Sequence, residues 1–304
     1  MAKCVRCKRE ATIFIDSLRF CDDCFKIYFE NSFLRAINGE GLKKKMLRKN
    51  ERVLVAVSGG KDSMSLWYLL KKYEFDATAV HINLNYGEFS EKSLDIVNEF
   101  SKNNSFPLMI FDLKKDFDID MQEIFLRNKN REACSVCGSI KRYLLNKIAY
   151  DYKFDAVATG HNLDDAIAII FKAFLNWDIE TISRNFPILE TKNEKLIKKI
   201  KPLYRLQDKE IKIYANLMGI PHTDFVCPYK RGKVTLTKTK EVIDFIDKNY
   251  KGIKRTFYFG FLRNKDFFKI EDVELKECKI CGMPTTNEEI CNFCKLTGRK
   301  VSEV

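Results

Sequence analysis

The chain has 304 residues, which suits one large domain with small appendages or two ordinary domains and excludes a mini-protein, a collagen or a short binding peptide. Hydrophobic residues make up 45% and aromatics 12%, enough for a packed core, while 32% charged residues keep the surface hydrated. With 54 basic against 42 acidic side chains the net charge is +12, which favours a polyanion such as nucleic acid as partner, with a Lys-rich solvated surface as the bland alternative.

The 11 cysteines open and close the chain. Cys4/Cys7 with Cys21/Cys24, and Cys278/Cys281 with Cys291/Cys294, are paired Cys-x-x-Cys motifs. Two thiolates three apart grip one side of a tetrahedral ion, and the intervening loop brings the second pair round to close it. Each tetrad therefore reads as a zinc ribbon, two Zn2+ in all, with metal binding supplying the folding energy that so short a segment lacks. The expected organisation is a ribbon over 1–30, a helical linker over 31–50, a catalytic domain over 51–226, a helical extension over 227–275 and a second ribbon over 276–304.

Between the ribbons the pattern alternates. Residues 52–57 form a β-branched strand ending at Ser58-Gly59-Gly60, and 62–72 follow with helical spacing. Strands are expected over 78–84, 108–112 and 154–159, and helices over 91–103, 163–175 and 237–249. Such alternation predicts an α/β fold with a doubly wound parallel sheet. No run approaches the ~20 apolar residues of a membrane span, and Met1-Ala2-Lys3-Cys4 has no apolar signal region. The expectation is an unprocessed cytoplasmic protein that makes no membrane contact.

Val55-Ala56-Val57-Ser58-Gly59-Gly60-Lys61-Asp62-Ser63 is not a Walker A loop, because Asp62 stands where Ser or Thr must follow the Lys. Its physical content is still a phosphate cradle: two glycines turn the backbone, a helix N-terminus faces the anion, and Lys61 adds a charge. The stretch resembles the Ser-Gly-Gly-x-Asp-Ser signature of the PP-loop ATP pyrophosphatases. That resemblance implies that Ser58, Gly59, Gly60, Lys61 and Ser63 bind pyrophosphate oxygens and that Asp62 helps place Mg2+. It also implies that ATP's nucleoside meets the backbone around Ala56, Val57 and Ile82, beside His81. Thr159-Gly160-His161-Asn162-Leu163-Asp164-Asp165 ends another strand, so Gly160 and Asp165 are expected on a second wall of the ATP pocket, Asp165 touching magnesium or substrate and Asp164 as readily structural.

Three cysteines remain: Cys134, Cys137 and Cys227. Three thiolates suit a [4Fe–4S] cluster with one iron free of protein ligand; an incomplete zinc site, a redox pair or buried thiols are the alternatives. The whole set of motifs, with Ile200-Lys201-Pro202-Leu203, resembles the TtuA/NcsA/Ncs-type tRNA 2-thiouridine synthetases over essentially the full chain. The resemblance implies that Cys134, Cys137 and Cys227 hold the cluster and that Lys141 is catalytic, on a helix beginning near Gly138. It further implies tRNA as substrate, a homodimer, and a sulfur donor that is free sulfide or a ubiquitin-like thiocarboxylate carrier. One departure stands out: many members continue Asp-Asp with Glu, where this chain has Ala166 and Ile167.

The chemistry so implied is adenylation of a uridine C2 oxygen by ATP followed by attack of sulfur at C2. A persulfide on Cys134 or Cys137, another PP-loop adenylating enzyme such as a lysidine synthetase, and a non-catalytic ribbon module are the competing readings. Lys43-Lys44-Lys45 with Arg48 and Lys49, Lys198/Lys199/Lys201, and Lys230-Arg231 with Lys233 are candidate contacts to RNA phosphates.

Overall fold

The structure is a computed structural model that describes residues 2–190, 193–229, 235–268 and 274–299. The candidate contacts Lys230, Arg231 and Lys233 lie outside the described residues.

The chain begins with a hairpin, β1 (Ile13–Ile15) and β2 (Leu18–Phe20), and α1 (Asp22–Ile37). Helix α1 starts at the second cysteine pair and carries Phe25, Phe29 and Phe33 into the core, all fully buried. Ribbon and core are thus joined by one continuous helix.

The central sheet then forms by βα alternation. β3 (Arg52–Ala56) leads through the glycine loop to α2 (Lys61–Lys72), then come β4 (Asp76–Asn83), α3 (Glu88–Asn104) and β5 (Leu108–Asp112). Two short helices, α4 (Leu113–Phe117) and α5 (Met121–Arg127), precede α6 (Ala133–Asp151) and β6 (Ala156–Ala158). Helix α6 starts at Ala133 rather than near Gly138, so the Cys-x-x-Cys pair sits in its first turns. Next are α7 (Leu163–Leu175), α8 (Ile179–Ser183), β7 (Ile188–Leu189), β8 (Lys198–Ile200) and α9 (Asp208–Leu217). The sheet order is β5-β4-β3-β6-β8-β7, parallel except for the edge strand β7. The chain leaves β3 toward one side and returns in β6 on the other, so the ends of β3 and β6 flank the crevice where such sheets bind ligands.

Two cores cover the two faces. One gathers α1, α2, α7 and α9 around Trp67, Tyr204 and Tyr214. The other gathers α5 and α6 with the C-terminal ribbon, formed by β9 (Lys276–Glu277), β10 (Pro284–Thr285) and α12 (Asn292–Thr297). Helices α10 (Thr235–Asn249) and α11 (Ile253–Arg263) pack on α7. No helix among the described residues is long and apolar enough to cross a membrane.

Candidate nucleotide and thiol site

The glycine loop is shaped by backbone demands. Gly59 has φ +78°, and a Cβ there would come within 3.3 Å of the Ser93 backbone, so both conformation and space require glycine. Gly60 precedes α2 with no side chain capping the helix, leaving its first-turn N–H groups for an anion. Ser63 Oγ donates to the Gly60 carbonyl at 3.0 Å and accepts from the Ser58 N–H at 3.2 Å, bracing the turn from within. Val57 continues the pairing of β3 onto the Val80 carbonyl at 2.9 Å, and His81 Nδ1 lies 3.0 Å from the Val57 carbonyl oxygen. His81 is buried, and burial holds its imidazole below its usual range, with Lys141 adding to the effect. Ala56 and Ile82 end neighbouring strands beside it, where the nucleoside was expected.

Gly160 closes the second wall. A Cβ on it would stand 2.9 Å from the Ser63 nitrogen and 3.0 Å from the Asp62 carbonyl carbon, so the loop after β6 lies directly against the start of α2. Asn162 then caps α7: its Oδ1 accepts from the Asp165 N–H at 3.0 Å while Asp165 Oδ2 accepts from the Asn162 N–H at 3.2 Å. The other Asp165 oxygen pairs with Lys240. Asp164 serves the scaffold instead: it is buried, pairs with Lys254, and accepts from the Asp208 N–H at 2.7 Å. Ala166 and Ile167 are each 2% exposed, so the glutamate common at this point in the family would have to enter the core.

Asp208 is a site residue that sequence reasoning missed. Its Oδ1 lies 2.6 Å from Lys61 Nζ, which also contacts Asp62 at 3.1 Å. Asp62 is pushed up to about 6, first by burial, which Lys61 partly offsets, and then by the charges of Asp208 and Asp165. Asp62 and Asp208 flank Lys61, and Asp165 acts on Asp62 from nearby; carboxylate oxygens are the ligands a hard divalent cation carrying phosphates takes.

Beside this lie the three central thiols. Cys134 is exposed, Cys137 buried and Cys227 half-buried. Burial raises the Cys134 thiol, and the neighbouring Cys227 and Cys137 raise it further. Lys141 acts on both Cys134 and His81, which places it between the thiols and the nucleotide strand. Tyr86, Phe125 and Tyr229 pack around the thiols as tilted rings, with Tyr86 and Tyr229 centroids 4.6 Å apart and planes at 55°. The buried Tyr86 hydroxyl has no nitrogen or oxygen partner among the described residues and faces Cys137.

The terminal thiols are arranged differently. In each tetrad, Cys4/Cys7/Cys21/Cys24 and Cys278/Cys281/Cys291/Cys294, the sulfurs lie within 4.8 Å of one another, the donor set of a tetrahedral site. The central three do not converge to that distance. The three central thiols therefore do not form the compact donor set that the terminal tetrads form.

Comparison with known proteins agrees with this geometry. The model of the PP-loop domain family matches residues 29–224. The chain belongs to the PP-loop family. This PP-loop chain is 41% identical over 302 residues to the tRNA-5-methyluridine(54) 2-sulfurtransferase of Pyrococcus horikoshii, covering 98% of this chain and 94% of that one. It is 37% identical over 297 residues to the enzyme of the same name from Thermotoga maritima, covering 97% and 95%. Membership therefore extends to the tRNA 2-sulfurtransferase branch of the family. Among solved structures it is similar to the U34-tRNA thiolase NcsA from Methanococcus maripaludis with its [4Fe–4S] cluster, at TM-score 0.81 and 25% identity over 97% of this chain and 95% of that one.

Proposed function

We propose that this chain is a tRNA-uridine 2-sulfurtransferase that uses ATP to activate the C2 oxygen of the T-loop uridine 54 and replaces it with sulfur. The observation that supports the reading is that Lys141 acts on both Cys134 and His81, the residue whose ring meets the Val57 carbonyl at the PP-loop. The choice of uridine 54 over the wobble position rests on the names of the relatives at 41% and 37% identity, against 25% for the U34 thiolase.

A uracil C2 oxygen is a poor leaving group, so activation comes first. The first-turn amides of α2 with Ser58, Gly59, Gly60, Lys61 and Ser63 hold the β- and γ-phosphates while the uracil O2 attacks the α-phosphorus and pyrophosphate departs. Asp62, Asp165 and Asp208 are the groups to hold Mg2+, which would neutralise the developing phosphate charge. Ala56, Val57, His81 and Ile82 seat the nucleoside. A sulfide then adds at C2 and AMP leaves carrying the original oxygen, a substitution with no net redox change. Lys141 supplies positive charge between the two reacting centres.

Cys134, Cys137 and Cys227 would hold a [4Fe–4S] cluster, and the Tyr86 hydroxyl facing Cys137 would be a hydrogen-bond donor available to that site. Such a cluster would present an iron without protein ligand, where inorganic sulfur can be kept next to the nucleobase. The terminal tetrads would hold Zn2+. Free sulfide or a thiocarboxylate carrier supplies the sulfur, and the active form is a cytoplasmic homodimer. The test is nucleoside mass spectrometry of tRNA treated anaerobically with iron-reconstituted protein, ATP and sulfide. The 2-thio product is expected at position 54; product at position 34 alone refutes the site assignment, and no product from well-loaded protein refutes the activity.

A further inference from the structure

Strand alternation separates the lysines of β8. Lys198 pairs with Glu51 at 2.5 Å, while Lys199 points to the other face, toward Arg142 of α6. The Lys199 ammonium has no hydrogen-bond or ion-pair partner among the described residues. Arg142 lies against Gly138, and among the described residues its one hydrogen bond is to the Ser139 hydroxyl at 3.2 Å. Lys201 donates to the neutral amide oxygen of Asn185 at 2.8 Å. His161, on the adjoining loop after β6, lies in the field of both Lys201 and Arg142.

The other cations of the crevice are matched. Lys61 has Asp62 and Asp208, Lys240 has Asp165, and Lys254 has Asp164 and Asp244. The carboxylate that acts on Lys201 and His161 is that of Asp165, whose oxygens already serve the Asn162 N–H and Lys240. Lys199 and Lys201 are half-buried, while Arg142 and His161 reach solvent; like charges crowded together without a counter-charge are unfavourable. Burial indeed lowers the pKa of Lys199 and Arg142, and that of Lys201 to about 8. An anion is what the arrangement lacks.

Position selects the anion. The PP-loop has its own cation and amides for pyrophosphate, and β8 lies two strands from β3, about 10 Å away at normal strand spacing. Arg142 also feels Cys137, so the group borders the thiol site. We propose that Arg142, Lys199, Lys201 and His161 form a second phosphate site, which takes a backbone phosphate of the RNA next to the target uridine and so fixes the base over the thiols. This rests on the tRNA reading above.

The test is Arg142→Gln and Lys199→Gln, singly and together, in the full-length protein, with filter binding to unmodified tRNA across a salt series and ATP binding measured in parallel. Each removed charge is expected to lower the slope of log affinity against log salt by about 1, and the double variant to bind about tenfold more weakly at low salt. ATP affinity stays at the wild-type value, and Lys199→Arg keeps the wild-type slope. Should the double variant fail to fold, the single variants decide. Loss of ATP or pyrophosphate affinity with an unchanged tRNA slope assigns the cations to the nucleotide and overturns the site. Wild-type protein that thiolates tRNA alongside variants with unaltered slopes overturns this site alone; wild-type protein that neither binds nor thiolates tRNA overturns the tRNA reading and the site with it.

Discussion

Lys61 Nζ lies 2.6 Å from Asp208 Oδ1, a contact spanning 147 residues that ties the loop's cation to the start of α9. With Asp62 and Asp165 nearby, three half-buried carboxylates share this corner with Lys61 and Lys240. Asp62 is held at about 6 against an ordinary 3.8, so the folded chain keeps a proton there that the unfolded chain has lost. This group's contribution to stability is therefore present below about pH 4 and disappears as pH rises through 6. Asp62→Asn should raise ligand-free stability at neutral pH by at most about 3 kcal/mol while abolishing thiolation. Denaturant melts at pH 4 and 7 check this; a variant less stable than wild type at pH 7 contradicts the electrostatic account.

Gly160→Ala should fail for a geometric reason. Its Cβ would meet backbone atoms of Asp62 and Ser63 at 2.9–3.1 Å, and backbone cannot swing aside as a flexible side chain can. A loss of about 1–3 kcal/mol is expected from the overpacking, together with weakened ATP binding because the loop is displaced. Wild-type ATP affinity measured by calorimetry on the variant would show that the two walls do not need to touch.

How much of this was legible in the sequence depends on distance along the chain. The glycine loop, the Cys-x-x-Cys pairs and the βα alternation are local patterns, and they appear where expected. The alternation did not reveal β7 and β8, because strands of two and three residues leave too short a pattern. Helix α6 was expected to begin near Gly138 but begins at Ala133, because the i, i+3 spacing of the two cysteines suits a helical turn. Asp208, Tyr86 and Arg142 carry no local signal, and their partners are set by tertiary contact. The basic clusters were equally mute: Lys43 faces Asp266, Lys44 faces Glu190, and only part of the β8 group turns into the crevice.

Tyr86→Phe separates fold from cofactor. Removing a buried hydroxyl that lacks a partner should leave the metal-free protein as stable as wild type or more stable, by up to about 1–3 kcal/mol. After iron loading, the lost hydrogen bond to sulfur should move the cluster's reduction potential to more negative values. An identical potential in wild type and variant would show that the hydroxyl does not touch the cluster.

The C-terminal ribbon is a buttress for α6. Tyr143 of α6 stacks on Phe293 of the ribbon with centroids 3.7 Å apart and planes 6° apart, and Cys278, Cys291 and Cys294 share a core with Val136, Cys137 and Ile140. Cys294→Ser should therefore lower iron retention without reducing ATP binding, which depends on the opposite core. Iron quantitation and nucleotide titration on the same preparation test it; lost ATP binding with intact iron loading would reverse the assignment.

The central claim is that Cys134, Cys137 and Cys227 act together beside the PP-loop to deliver sulfur. Its most direct test is anaerobic reconstitution of wild type and Cys227→Ala, followed by ATP-dependent thiolation read as 2-thio nucleoside at position 54. The expected result is product from wild type and none from Cys227→Ala, which still binds ATP with wild-type affinity. Undiminished product from Cys227→Ala would contradict it.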